Sequence, residues 1–113
     1  PKVPPEGVVP SADLFPGAQR LPWQSAPPVT NDWAGLAHTL RTTLSLGASA
    51  IPVQMQPIGS AAQPLDTLNP ELYLRWLTFG VFSANFCLQG VPQLMPWALG
   101  EEVLRYARIW LQW

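Results

Sequence analysis

The residues that could support chemistry in this chain are one cysteine, one histidine and seven carboxylates. A nucleophilic cysteine works with a base, usually a histidine, that removes its proton. Cys87 and His38 are far apart in the sequence, and the chain has no other histidine. We therefore expect Cys87 to be a buried structural thiol and His38 to be a solvated residue on a helix surface.

The carboxylates show no sign of a paired acid and base. Four of them fall at predicted helix starts or in loops, where a carboxylate stabilises a helix dipole or is solvated: Asp66, Glu71, Glu101 and Glu102. General acid–base catalysis needs a positioned group with a suitable pKa. A single cysteine also excludes a disulfide within the chain, and a single histidine excludes a His-rich metal site. We predict no catalytic residue, no cofactor and no metal ligand.

Three predicted helices would position any site. Asp32 is predicted to be the N-cap of a first helix, which ends at Gly47. Its apolar stripe consists of Trp33, Leu36, Ala37, Leu40 and Leu44. Asn69 is predicted to cap a helix over 70–79, whose apolar positions cover more than one face and indicate burial on both sides. A last helix begins near Gly100.

Two apolar runs between these helices are predicted to be strands, at 49–53 and 82–88, with a loop over 54–64. The order of strand, helix and strand is typical of a parallel α/β unit. In such units, chemistry normally occurs just past the C-terminal ends of the strands. Residues 54–60 and 87–91 are therefore the candidate site positions.

The N-terminal region differs in composition from the rest of the chain. Residues 1–30 contain eight of the fourteen prolines and show neither a helical nor a strand period. This composition predicts an extended, polyproline-like arm or a loop. We expect an arm over 1–30 and an α/β segment over 31–113.

The low charge content of the chain limits the kinds of partner that it could bind. Only 12% of the residues are charged, the net charge is −1, and no basic run is present, which excludes an electrostatic nucleic-acid site. The uncharged windows 42–65 and 76–100 contain prolines that argue against spanning helices, so membrane association is expected only through a complex. The N-terminus has no apolar segment typical of a signal peptide, and the sequence does not indicate a compartment.

Four stretches of the chain match the pattern of one enzyme family. Phe15 to Arg20 is similar to G-S-Q-R, and Leu44 to Ser60 is similar to L-S-L-x-x-S-G-x-x-x-W-x-H-D-I-G-G. Glu71 to Phe82 is similar to E-L-Y-x-R-W-x-x-x-G-x-F, and the stretch from Pro96 to Glu102 is similar to R-x-P-W and the helix after it. The chain thus resembles glycoside hydrolase family 31, the α-glucosidases and α-xylosidases built on a (β/α)8 barrel. The resemblance implies a partial (β/α) barrel fragment with about two strands and three helices.

The chain departs from this family at the positions that the resemblance assigns to the active site. Pro28 stands where the family has its acid/base aspartate, and Gln56 and Pro57 stand where it has a His-Asp pair. Cys87 and Gln89 stand where it has the Arg and His of an R-x-H-G turn. The nucleophile belongs to a strand outside the similar region. Hydrolysis with retention needs two carboxyl groups roughly 5 Å apart, and these residues supply neither.

Two hypotheses follow from these departures. The first is a non-catalytic, glycosidase-like remnant, or pseudoenzyme, that acts as a structural or accessory subunit of a larger assembly, because two or three strands cannot close a barrel. It predicts protein partners, no carbohydrate binding, and an interface that includes Trp110 and Trp113. The alternative is a split or cleaved part of an active α-glycosidase, which hydrolyses O-glycosyl bonds once another chain completes the barrel.

Overall fold

A computed structural model of the chain describes residues 8–9, 23–25, 29–51, 53–60, 69–88 and 92–112. These residues contain a parallel sheet of four strands, in chain order: β1 (Val8–Val9), β2 (Trp23–Ser25), β3 (Gln54–Ile58) and β4 (Asn85–Leu88). They also contain three α-helices: α1 (Trp33–Ala48), α2 (Pro70–Val81) and α3 (Glu101–Leu111). Short 3-10 helices at Pro92–Leu94 and Pro96–Ala98 lead into α3. The fold is that of a partial parallel α/β barrel, as the sequence predicted.

The Pro-rich N-terminal region contributes two strands that the sequence did not predict. Val8 pairs with Trp23 in parallel, and Gln24 pairs with Gln54. The prediction of a polyproline-like arm is therefore wrong for β1 and β2. Both strands are free of proline, so each keeps the backbone N–H groups that a sheet requires. The division of the chain at residue 30 stays a prediction.

Strand β3 begins five residues later than predicted, at Gln54 instead of residue 49. Ser49 caps the end of α1, and Ala50 adopts a left-handed conformation with φ of 63°. Glycine is the usual residue in that conformation, because a Cβ atom costs about 1–2 kcal/mol there. Because Ala50 is not a residue that indicates a turn, the sequence pattern places the start of the strand before Gln54. Gln56 and Pro57 thus lie within a strand and not in the loop that follows it.

The predicted second strand is also shorter in the structure. Helix α2 continues to Val81 and is capped by Phe82, so β4 begins only at Asn85. Gly80 lies within the helix, where a Cβ atom would approach Ile58 Cδ1 to 2.6 Å. The sequence pattern predicts that the helix over 70–79 stops at Gly80, but this glycine instead lies within α2 and allows the helix to pack closely on β3.

The starts of α1 and α2 are confirmed. The carboxylate of Asp32 accepts from the N–H of Gly35 at 2.7 Å and from the hydroxyl of Thr30 at 2.8 Å. These two bonds hold the pKa of Asp32 below its usual value, and the bond from the N–H of Gly35 has the larger effect. The side chain of Asn69 likewise accepts from the N–H of Leu72, and Pro70 occupies the first turn.

The apolar stripe predicted for α1 is wrong at its ends. Trp33 is 47% exposed and Leu44 is also exposed, whereas Leu36 and Thr39 are buried. Strand β3 meets α1 beside Thr43, so the buried face is rotated from the predicted one.

Helix α2 is buried as broadly as predicted, through Leu72, Tyr73, Trp76, Leu77 and Gly80. In the described part of the chain, no helix has the length and hydropathy to cross a membrane.

Tyr73 provides a test of this core. Its hydroxyl is buried without a hydrogen-bond partner in the described structure, and burial raises its pKa to about 12. The pKa in the unfolded chain is about 10, so between about pH 10 and pH 12 the unfolded chain releases a proton that the folded chain keeps. Stability should therefore fall as the pH rises through this window.

We expect Tyr73→Phe to remove this alkaline loss, as measured by urea unfolding at pH 7 and at pH 11. Because the variant also removes an unpaired buried hydroxyl, its free energy of unfolding at pH 7 should rise by about 1 kcal/mol. Tyr106→Phe, at an exposed position, is the matched control. It should change neither the alkaline loss of stability nor the free energy of unfolding at pH 7. A loss of stability in Tyr73→Phe at pH 7 would show that the hydroxyl has a partner.

Candidate functional site

The two faces of β3 and β4 have different surroundings. Gln56 Nε2 donates to Thr43 Oγ1 of α1 at 2.7 Å, and Ile58 approaches Gly80 of α2. These alternate side chains of β3 face the helices. Residues between them point to the opposite face of the sheet, which is the interior side of a barrel. Met55 and Pro57 therefore lie on the interior side.

The register of the two strands brings Pro57 and Cys87 together. Pro57 is paired with Cys87, and Met55 with Asn85. Cys87 thus shares the interior side with Pro57, near the C-terminal ends of both strands. This is the end of the sheet at which α/β barrels carry their active sites. Two positions that the resemblance assigns to the family site are neighbours here.

A disulfide can test this pairing. We expect Pro57→Cys to form a disulfide with Cys87 under mild oxidation, because paired residues on adjacent strands are about 4.8 Å apart, within the span of a disulfide. Intact mass and thiol titration would show the loss of both thiols. Gln56→Cys is the control, because its side chain faces the helices, and both of its thiols should stay free. Free thiols in oxidised Pro57→Cys would contradict the register.

Pro57 and Cys87, the pair on the interior side, provide no group for general acid–base catalysis. Proline has no ionisable side chain, and partial burial raises the pKa of the Cys87 thiol above its usual value. The thiol is therefore protonated at neutral pH, whereas the nucleophile is a thiolate. Cys87 is half-buried, and His38 is exposed on α1, 3.5 Å from the Thr42 hydroxyl. No cluster of three or more metal-ligating His, Cys, Asp or Glu occurs among the residues that the structure describes.

Gln56 lies on the other side of the sheet from this pair. It is fully buried, and its donor bond to Thr43 ties β3 to the last turns of α1. Gln54 adds bonds from its Nε2 atom to the carbonyl oxygens of Ile51 at 3.1 Å and Thr43 at 3.3 Å. The Oε1 atom of Gln56 has no partner among the described residues. The role visible for Gln56 is thus the attachment of a strand to a helix.

The predicted aromatic positions differ in burial. The resemblance places Trp33, Trp76 and Trp97 at framework positions and so predicts that they pack in the core. Trp76 is fully buried, but Trp97 is 63% exposed and Trp33 is 47% exposed, so this prediction is wrong for Trp97 and Trp33. Trp110 is half-buried and packs edge-to-face on Phe82, with ring centroids 5.9 Å apart. Its role as an interface residue stays a prediction. Pro28, Gln89 and Trp113 lie outside the described residues.

Three of the described ionisable side chains, Glu71, Arg75 and Glu102, line a groove between two helices. A groove of about 430 Å³ lies between α2 and α3. It is lined by Pro70, Glu71, Leu74, Arg75, Thr78, Glu102 and Val103. The carboxylate of Glu71 is paired with Arg75 at 2.9 Å, and both side chains are well exposed. Exposed pairs of this kind contribute little to stability.

Sequence reasoning missed Asn31. Its side-chain amide forms two hydrogen bonds with the backbone of Ser60, which follows β3. The two residues are 29 positions apart in the chain, so no local pattern connects them.

A parallel sheet with helices packed on one face defines this chain as a segment of an α/β barrel. The family model for the glycosyl hydrolases family 31 TIM-barrel domain matches residues 3–113, and the chain belongs to this family.

Two curated relatives support the assignment. Alpha-glucosidase 2 of Bacillus thermoamyloliquefaciens is 31% identical over 88 residues, which cover 72% of this chain and 11% of that protein. An alpha-xylosidase of Emericella nidulans is 31% identical over 87 residues, which cover 76% of this chain and 11% of that protein. The matched part of the chain therefore spans about a ninth of the length of these relatives. No solved structure matches the chain significantly.

Proposed function

We propose that this segment contributes framework and not chemistry to its barrel, and that it serves as a non-catalytic structural or accessory part of a larger protein assembly. The observation that carries the proposal is the pairing of Pro57 with Cys87 on the interior side of the sheet. The family resemblance assigns a carboxylate and an arginine to these two positions. A proline and a protonated thiol provide neither an acid/base group nor a charge for a sugar substrate.

The surface supports an assembly role. Phe82 is 75% exposed and Trp97 is 63% exposed, on a chain in which only 12% of residues are charged. Large exposed apolar areas on soluble proteins commonly mark contacts with other proteins. The partner we propose is therefore protein, with no role for nucleic acid, and with membrane contact only through the complex. Size exclusion of the chain should give aggregates or a larger species, and a monodisperse monomer of 12.4 kDa would contradict this part of the proposal.

One observation favours a second candidate. The chain corresponds to 11% of the length of relatives named as an alpha-glucosidase and an alpha-xylosidase. Catalytic carboxylates supplied from outside these residues would complete an active α-glycosidase. In that case the interior side around Cys87 would line the sugar site, and changes there would alter turnover.

An activity assay separates the two candidates. The protein, isolated with all its associated chains, is incubated with aryl α-glucosides and aryl α-xylosides. We expect no hydrolysis above the background of a mock preparation. Hydrolysis that copurifies with the protein and falls in Cys87→Ala, but not in the control His38→Ala on the surface of α1, would overturn the proposal in favour of the second candidate.

A further inference from the structure

Asn31 and Ser60 form a buried connection between two loops. Asn31 Nδ2 donates to the carbonyl oxygen of Ser60 at 3.0 Å, and the N–H of Ser60 donates to Asn31 Oδ1 at 2.7 Å. Both residues are buried. The side-chain amide thus pairs with a peptide group in both directions, as the backbone of a neighbouring strand does.

This connection lies next to the described part of the sheet. Among the described residues, β2 and β3 are paired through Gln24 with Gln54 and Ser25 with Met55. Strand β3 ends at Ile58, and Gly59 turns the chain with φ of 75°, a conformation that glycine adopts readily. Ser60 follows at the C-terminal rim of the sheet. Asn31, which immediately precedes the N-cap of α1, is therefore joined to the start of the β3–α2 loop.

The connection also reaches α1. Asn31 immediately precedes Asp32, whose carboxylate holds the N–H of Gly35 and the hydroxyl of Thr30. Breaking the Asn31–Ser60 pair would leave donors and acceptors of both residues buried without these partners. The loss of hydrogen bonds by buried groups is unfavourable. Displacement of one loop alone is thus unfavourable, and the two loops should separate from the core in one step.

We infer that Asn31 is a clamp that joins the residues before α1 (29–31) and those after β3 (59–60) into a single opening unit at the rim of the sheet. These residues lie in the segments 29–36 and 53–60. In local unfolding, such a unit opens with one free energy. A ligand or protein approaching the strand ends then meets a fixed rim instead of two independent loops. The clamp acts in the same way whether or not the completed barrel is catalytic.

Hydrogen exchange of the full protein with Asn31→Ala tests the clamp. We expect amides in both 29–36 and 53–60 to exchange about tenfold faster, with helix α3 unchanged. Asn85→Ala is the matched control, because Asn85 is exposed on β4 and should leave both segments unaffected. Acceleration in only one segment, or no acceleration, would overturn the inference. Equal acceleration in α3 would also overturn it, since that result indicates a general loss of stability.

The unmodified protein provides a second test that does not depend on folding of the variant. Exchange is measured over a series of low denaturant concentrations. Segments that open together should give the same opening free energy and the same denaturant dependence. Different dependences for 29–36 and 53–60 would show two independent openings and would contradict the clamp.

Discussion

Trp76→Ala is expected to lower the free energy of unfolding by about 3–5 kcal/mol, a large part of the stability of a small domain. Trp76 is fully buried on α2, in the core cluster that also contains Ile58, Leu72 and Val103. Truncation leaves a large cavity between the helix layer and β3, which surrounding side chains fill only in part. Urea unfolding followed by far-UV circular dichroism measures the loss.

Trp97→Ala provides the matched control for this prediction. Trp97 is 63% exposed, so its truncation should change the free energy of unfolding by about 0.5 kcal/mol or less. Both tryptophans lie in stretches that match the family pattern, and the resemblance predicts core packing for both. Equal losses for Trp76→Ala and Trp97→Ala would contradict the packing described for α2.

The second large effect is expected for Gly35→Ala, which should destabilise the chain by about 3 kcal/mol. A Cβ atom at Gly35 would lie 2.0 Å from the carbonyl oxygen of Thr30, so backbone must move. The movement also disturbs the bond from the N–H of Gly35 to the capping carboxylate of Asp32. Thermal and urea unfolding of the variant would both report the loss.

Gly47→Ala distinguishes this clash from a general effect of alanine in α1. A Cβ atom at Gly47 meets nothing within 4 Å, and alanine is a better helix former than glycine. This variant should raise the free energy of unfolding by up to about 1 kcal/mol. Destabilisation by both substitutions would argue against the close approach of Thr30 to Gly35.

The helix starts were predictable because their signals are local. The side chains of Asp32 and Asn69 each accept a hydrogen bond from an N–H of the first helical turn. Pro70 has no N–H that could be left unpaired there. Strands β1 and β2 are too short to show a period, and their existence depends on partners far along the chain. The start of β3 was missed because Ala50 makes a turn that glycine normally makes.

The candidate site was predictable only in part. Pro57 and Cys87 were identified from the family resemblance, but their pairing on one face depends on the strand register. The resemblance places Gln56 in the same candidate site. Successive side chains of a strand point to opposite faces, however, so Gln56 faces α1. The Asn31–Ser60 pair spans 29 residues, and only the fold brings the two together.

We propose that this segment supplies barrel framework without catalytic groups, and that the assembly containing it does not cleave glycosides. Retaining glycosidases form a covalent glycosyl-enzyme intermediate, which a slowly hydrolysed substrate allows to accumulate. The most direct measurement is therefore the intact mass of the isolated protein and its associated chains after incubation with slow α-glucosyl and α-xylosyl substrates. We predict no mass increase on any chain. A stoichiometric gain of one glycosyl unit would contradict the account.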